Sequence, residues 1–404
     1  MGIVGEWLDV AGIKRSDTAT GKVNVQLVER IGQAVVNQEE AYNLTVSQEE
    51  ISIEAVTEKG VYWAVQTLRQ LTDRSTREVR IPCCEIIDWP AFGIRGFMHD
   101  TGRSYISLEE IKREIEILSL YKINTFHWHL TENQAWRLES KIYPQLTSPE
   151  NMTRYPGCCY TQEQVREFLD FCRKHHILVI PEIDMPGHSE SFTRTFGCDM
   201  QSPKGKGILK ELLAEACDLF AEEPYFHIGT DEVHFKDPDF VPEMVALVRS
   251  KGKKAVSWSP GCEYAPGEID IAQLWSYMGK PKPGIPSIDS RFRYANHFDL
   301  FGDIVAVYNS RIWLNDQELL PPAWTNSPDV RSPEIDQGNE NCTARPPLPV
   351  HLNKGWNKVF MKLPVGKFTT PEIWLVKWAF TAVFVTPDGS RAVDGLIYSP
   401  DKSK

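Results

Sequence analysis

From Gly93 onward the chain repeats one pattern: a short apolar run, a polar loop, then apolar residues at helical spacing. The apolar runs fall at residues 94–98, 124–130, 178–183, 225–228, 254–258, 271–275 and 287–289. Between them, amphipathic stretches predict helices over 107–121, 161–175, 209–220, from 242 onward, and over 298–312. Two of these helices open on capping boxes, Ser107-Leu108-Glu109-Glu110 and Thr161-Gln162-Glu163-Gln164. Repeated strand–helix alternation over seven units predicts an α/β fold, a (β/α)8-type TIM barrel rather than an open sheet. No eighth unit is legible, so the eighth is expected to be missing or degenerate.

The flanking regions read differently. Residues 1–90 hold alternating runs at 23–28, 42–46, 51–53 and 79–81, with one amphipathic helix after Gly60. This predicts a small α+β domain before the barrel, which is assigned residues 91–316. Residues 317–350 are rich in proline (Pro321-Pro322, Pro328, Pro333, Pro346-Pro347) and read as a linker. Residues 351–404 regain alternation and are expected to form a small β-rich unit. A net charge of −11 supplies no basic field for nucleic acid. No run is long enough for a membrane span, and Met1-Gly2-Ile3-Val4-Gly5-Glu6 lacks a signal-peptide layout. The nine cysteines show no metal-binding spacing and are expected to be mostly free, buried thiols.

In a barrel of this type, chemistry gathers at the C-terminal ends of the strands. The stretch Tyr225-Phe226-His227-Ile228-Gly229-Thr230-Asp231-Glu232 runs from a buried strand through a glycine into two adjacent acids. Two carboxylates so close repel, and one can then keep its proton towards neutral pH, as a general acid requires. An acidic helix start is the plainer alternative. Glu132 follows the second strand, and His188 follows the third, within Pro181 to His188. His127 and His129 share one strand face, a spacing open to metal binding or to hydrogen-bonded structural imidazoles; the second is the commoner use. Arg95, on the first barrel strand, is either a structural ion-pair partner or a fork of donors for hydroxyl groups. Trp258 and Trp275 end successive strands, as pocket walls would.

Together these stretches resemble glycoside hydrolase family 20, the β-N-acetylhexosaminidases. The resemblance rests on Arg95-Gly96-Phe97-Met98-His99-Asp100-Thr101-Gly102-Arg103, His127-Trp128-His129-Leu130-Thr131-Glu132-Asn133-Gln134, Pro181 to His188, and His227-Ile228-Gly229-Thr230-Asp231-Glu232. It runs from about residue 40 to residue 312. It implies a substrate-assisted retaining mechanism, in which the sugar's own 2-acetamido group attacks and forms an oxazolinium. It implies Glu232 as general acid and base, Asp231 as the partner of the acetamide N–H, and His188 with Glu132 as a relay to Glu232. It further implies Arg95 on the sugar hydroxyls, Trp258 and Trp275 around the acetamide and sugar face, Tyr294 on the acetamide carbonyl, and Asn296 at the outer hydroxyls. Asn133 stands where many relatives carry a second Asp. Trp313-Leu314-Asn315-Asp316 resembles the family's eighth-strand element but follows the seventh helix too soon.

The expected function is therefore an exo-β-N-acetylhexosaminidase acting on glycans with terminal N-acetylglucosamine or N-acetylgalactosamine, without cofactor or metal. A glycan-binding relative with an incomplete barrel and a metal-dependent barrel hydrolase are the alternatives. The resemblance implies a periplasmic, secreted or lysosomal location. Sugar epimer, linkage and oligomeric state are not legible in the residues.

Overall fold

The alternating runs at 42–46 and 51–53 become strands that bury Leu44 and Ile53 against a helix, whereas Val23, Val25 and Leu27 of the first run stay exposed at the sheet edge. After helix α1 (Gly2–Ala11) come strands β1 (Lys22–Leu27), β2 (Tyr42–Val46) and β3 (Glu50–Ala55), then helix α2 (Glu58–Leu71) and strand β4 (Cys84–Asp88). The sheet order is β1-β3-β2-β4, with β1 parallel to β3 and the other neighbours antiparallel. Thr57 caps α2 by accepting from the Lys59 N–H. The apolar stripe of α2 (Tyr62, Trp63, Val65, Leu68) packs with Trp7, Leu44 and Ile53 in one buried cluster. Two details differ from expectation. Helix α1 has no acidic first turn or basic last turn to announce it. The strand expected at 79–81 is only a bridge between Arg80 and Asp73, and the paired strand begins after Pro82, at Cys84.

This computed structural model describes residues 2–14, 20–73, 79–276, 278–291, 311–319 and 350–362. The chain forms two compact units, residues 1–293 and 294–404. In the first unit the elements continue as β5 (Gly96–Asp100), α3 (Leu108–Leu120), β6 (Thr125–His129), α4 (Gln162–Lys174), β7 (Leu178–Glu182), α5 (Glu190–Phe196) and α6 (Pro203–Leu219). They end with β8 (Tyr225–His227), α7 (Phe240–Ser250), β9 (Lys254–Ser259), β10 (Ile271–Leu274) and β11 (Ser287–Asp289). Strands β5 to β11 pair in chain order, all parallel, as a seven-stranded TIM-barrel-like sheet. Both predicted capping boxes form. Phe126, Trp128, Phe168, Val179, Phe192, Leu213 and Phe226 are among the buried residues that lock helices to the sheet.

The alternation weakens towards the end of the sheet. Among the described residues no helix separates β9 from β10 or β10 from β11, so seven strands are present but not seven complete strand–helix units. The helix expected over 298–312 lies outside the described residues up to 310, and its last two positions belong to a strand instead. In the second unit, β12 (Arg311–Leu314) pairs antiparallel with β13 (Gln317–Leu319) and with β14 (Val359–Lys362). Asn315 and Asp316 turn the β12–β13 hairpin with positive φ, 52° and 67°, the left-handed pair that a two-residue hairpin turn requires. Trp313 to Asp316 is thus the tip of a small antiparallel sheet rather than an element of the parallel one. Of the linker expected at 317–350, the first three residues are β13 and 320–349 lie outside the described residues.

The described cysteines are free, but only Cys172 and Cys217 are buried. No helix among the described residues is long and apolar enough to cross a membrane.

The first layer is tied to the N-terminal ends of the parallel strands. Glu40 is buried and takes Arg95 Nη2 at 2.5 Å and Asn124 Nδ2 at 3.0 Å. Burial opposes its ionisation, yet Arg95 and Lys59 hold its carboxyl below the usual range. Lys122 reaches Asp88 at 2.5 Å beside it.

Candidate active site

The opposite ends of the strands collect the acids. Strand β8 stops at His227, and Gly229 follows with φ 65°. A Cβ at Gly229 would lie 1.7 Å from Asp184 Oδ1, so only glycine lets the strand end pass the loop after β7. The backbone is also left-handed at Thr230 (φ 89°), Glu232 (φ 48°) and His188 (φ 48°). Such conformations cost on the order of 1–3 kcal/mol each in non-glycine residues and persist only where neighbours enforce them. Here the neighbours are evident. The Thr230 N–H donates to Asp184 Oδ1 at 3.2 Å, and Thr230 Oγ1 lies 2.6 Å from Ser257 Oγ.

This bent loop delivers two carboxyl groups to one imidazole. His188 Nε2 lies 3.4 Å from Glu232 Oε2 and 3.9 Å from Asp231 Oδ2, and Nδ1 lies 2.7 Å from Glu132 Oε1. Burial alone would lower the His188 pKa. The hydrogen bonds to Glu132 and Glu232 prevail and raise it to about 12, so both ring nitrogens carry protons. Glu132 is fully buried, whereas the Glu232 side chain is 40% exposed and open to a ligand. Arg103 closes the group: it pairs with Glu132 and reaches Asp100 at 2.5 Å. Asp231 sits deeper than Glu232, and burial raises its pKa to about 6 despite the His188 charge. Asp184, buried beside it, is pushed well above the carboxylate range by burial and by the Asp231 charge.

A second layer lies inside the sheet. Glu182, fully buried at the end of β7, accepts from the Trp258 indole N–H at 2.7 Å and from His129 Nδ1 at 2.6 Å. His127 Nε2 and His227 Nδ1 approach the same carboxylate at 2.8 and 3.1 Å. Burial opposes its charge, but His129 foremost holds Glu182 well below the usual range. Against its own burial, His129 is raised to about 10 by Glu182 and Asp100. Three groupings bring ligating atoms within 4.8 Å of one another: His127–Glu182–His227, His129–Glu182–Asp184 and Asp184–His188–Asp231. Hydrogen bonds and ion pairs to Glu182 already link the residues of the first of these groupings, and tie His129 into the second. The His227 Nδ1 lone pair is taken by the Gly229 N–H at 3.0 Å.

Of the residues expected at the site, Glu232, Asp231, His188 and Glu132 meet. Arg95 does not, and that expectation is corrected. It precedes β5 at the strand's N-terminal end, where it also donates to the carbonyls of Lys122 and Phe92. Arg103, eight residues on, stands at the C-terminal end instead. Trp258 is 6% exposed and belongs to the interior layer. Trp275 follows β10, half-buried, with its N–H on the Pro260 carbonyl at 2.7 Å. Tyr294 and Asn296 lie outside the described residues. Sequence reasoning assigned no role to Arg103, Glu182 or Asp184, although all three lie in the motif stretches and strand direction would have sorted them. A cavity of about 500 Å³ lies elsewhere, on the outer face of α4 and α6, lined by Gln162, Arg166, Glu211 and Asp218.

Comparison with known proteins points to one family. Residues 92–205 match the model of glycosyl hydrolase family 20, catalytic domain, and residues 5–89 match glycosyl hydrolase family 20, domain 2. A β-hexosaminidase of Porphyromonas gingivalis is 38% identical over 236 residues, covering 50% of this chain and 30% of that protein. A β-hexosaminidase of Vibrio furnissii is 35% identical over 322 residues, covering 70% of this chain and 50% of that one. The chain thus spans half or less of the length of these two relatives. Among solved structures, a GH20 exo-β-N-acetylglucosaminidase from Vibrio harveyi in complex with N-acetylglucosamine is 29% identical, with a TM-score of 0.58 over 68% of this chain and 51% of that one. A β-N-acetylhexosaminidase from Bacteroides fragilis is 28% identical, with a TM-score of 0.61 over 72% and 67%. On motifs, sheet and matched regions alike, residues 5–205 of the chain belong to glycoside hydrolase family 20.

Proposed function

We propose that the chain is an exo-acting β-N-acetylhexosaminidase that removes terminal N-acetylglucosamine or N-acetylgalactosamine from the non-reducing ends of glycans. One observation carries the reading. An open Glu232 and a more deeply set Asp231 share one imidazole, His188, whose other nitrogen is fixed by buried Glu132. Glu232, facing solvent, donates its proton to the leaving glycosidic oxygen as the C1–O bond breaks. The substrate's acetamido oxygen bonds to C1 from the other face, giving the oxazolinium, while Asp231 accepts the acetamide N–H and balances the positive charge developing there. Water then attacks C1 and returns a proton to Glu232. His188, doubly protonated, holds Glu232 in place and is itself held by Glu132. Arg103, paired with Glu132 and Asp100 at the rim, takes the sugar-hydroxyl role first expected of Arg95. Trp275 is the aromatic wall nearest the rim, with Trp258 as a floor beneath it.

The layout proposed with this reading is a small α+β domain to residue 90 followed by the catalytic barrel from residue 91. The test is Glu232→Gln, assayed on an aryl N-acetyl-β-glucosaminide. Turnover falls by about 10²–10⁴-fold if Glu232 is the proton donor; a variant within a factor of a few of wild type rejects the assignment.

A further inference from the structure

Arg137 is fully buried, yet no carboxylate among the described residues pairs with it; Asp100 acts on its charge only from a distance. The five N–H donors of its guanidinium meet five backbone carbonyls instead. Nε donates to Thr101 at 3.0 Å, and Nη1 to Tyr155 at 3.0 Å and Cys158 at 2.8 Å. Nη2 donates to Arg154 at 2.8 Å and reaches Gly102 at 3.5 Å. These acceptors come from two separate segments: the turn after β5, and a loop between β6 and α4. That loop is bent by left-handed backbone at Tyr155 (φ 49°) and Gly157 (φ 77°). Burying a cation without its counter-charge is costly. What the chain gains is geometric, because a planar fork spans acceptors that an ammonium cannot reach together. We propose that Arg137 is a positioning residue whose fork clasps the Thr101-Gly102 turn to loop 154–158 and so fixes where Arg103 stands at the site.

The clasped turn leads straight into Arg103. Thr101 donates both its N–H and its hydroxyl to the His129 carbonyl, each at 3.0 Å, and its hydroxyl accepts the Trp128 indole N–H at 3.1 Å. Gly102 lies against Glu132: a Cβ there would sit 2.8 Å from the Glu132 Cβ. Arg103 then donates its backbone N–H to Asp100 Oδ1 at 2.9 Å and pairs with Glu132, the acid that fixes His188. Arg137 itself stands on the returning arm of the Glu132 hairpin, its N–H on the Leu130 carbonyl at 3.0 Å and its carbonyl taking the Tyr160 N–H at 2.7 Å. One side chain therefore joins that hairpin, the turn carrying Arg103 and the outer loop. A slip of the turn would carry Arg103 off Glu132 and His188, and a misplacement of about 1 Å can cost about 10²-fold in rate. The effect on turnover rests on the hexosaminidase reading, with Arg103 on the sugar hydroxyls; the clasp itself does not depend on it.

Arg137→Lys is the discriminating variant, because it keeps the charge and loses the fork. On an aryl N-acetyl-β-glucosaminide it lowers kcat/KM by about 10–10²-fold, most of it through KM, as lost substrate positioning does. In an Arg103→Ala background the same change costs less than about threefold, since the residue it positions is gone. A single variant within about threefold of wild type, or losses that multiply in full, overturns the proposal and reduces Arg137 to a structural residue. Amide hydrogen exchange of the full chain supplies a measurement that needs no variant. In wild type, 101–103 and 154–158 open as one unit with one free energy, and in Arg137→Lys both exchange about tenfold faster. Segments that open independently in wild type, or exchange unchanged in Arg137→Lys, overturn the clasp. A chain whose two segments open together but which cleaves no N-acetylhexosaminide instead sinks the proposed function and leaves the clasp standing.

Discussion

Glu182 and Asp184 are two residues apart at one strand end, equally buried, yet they are driven in opposite directions. Glu182 is surrounded by donors, with a protonated His129 foremost, and stays ionised well below the usual range. Asp184 faces another carboxylate and retains a proton well above it. Burial opposes charge equally at both positions, so the difference lies in what fills the remaining contacts. The inner layer uses its acid to hold four strands together, β6 to β9; the rim keeps its acids poorly satisfied, available to a ligand. A raised carboxyl in a cleft is a mark of function rather than stability.

The sharpest way to break this contrast is Glu182→Gln. Removing the carboxylate leaves His129 charged and buried without its partner, and loss of one member of a buried pair costs about 3–5 kcal/mol. Urea unfolding of the variant is expected to show that loss; an unchanged midpoint would mean that the inner layer is not an ion-paired core. Asp231→Asn is expected to do the reverse. Transition-state stabilisation falls by about 3–4 kcal/mol, as when one preorganised charge partner is removed, while folding stability holds or improves. Steady-state kinetics and thermal melts on the same preparation separate the two effects.

The two arginines of the β5 region repeat the contrast at opposite ends of one strand. Arg103→Ala is expected to cost about 1.5–3 kcal/mol in kcat/KM through lost charged hydrogen bonds. Arg95→Ala is expected to lower the melting point and leave KM for the aryl substrate near wild type. Equal kinetic effects from both would overturn the placement of Arg95 away from the site.

The smallest effect is on pH. Folded Asp231 titrates at about 6, above its ordinary 3.8, so its contribution to stability is full below 3.8 and lost as pH rises through 6. Asp231→Asn has no such term, and its melting point should gain on wild type between pH 4 and 6 and then level off. His129 acts in another window. Its stabilisation is full below 6.5 and is lost as pH rises through about 10. His129→Gln should flatten the alkaline decline in melting temperature.

Much of this was legible in the residues. The capping boxes at Ser107 and Thr161, the seven apolar runs and the Asp231-Glu232 pair at a strand end all follow from local chemistry that tertiary packing did not override. Arg95 was misplaced because a strand is nearly symmetric in sequence. Its run of apolar residues shows where it lies but not where pairing starts, and a shift of two residues moved Arg95 off the strand altogether. Trp258 looked like a pocket wall because alternation gives the face of a strand, not its depth. Asp184 was quoted as part of a motif and given no role, since burial and the charge it meets 47 positions later in the chain, at Asp231, are what let it keep a proton. The strand at Arg311 was missed because the helix expected over 298–312 absorbed its first two residues.

The Glu40 contact has a practical consequence for anyone who wants the barrel alone. Cutting the chain near residue 90 would remove the acceptor that Arg95 and Asn124 share, leaving the guanidinium without its counter-charge, on the Lys122 and Phe92 carbonyls alone, at the base of the first two parallel strands. The shortened protein would begin with an unmet electrostatic debt, and a replacement acid grafted beside Asn124 would be the first repair to try.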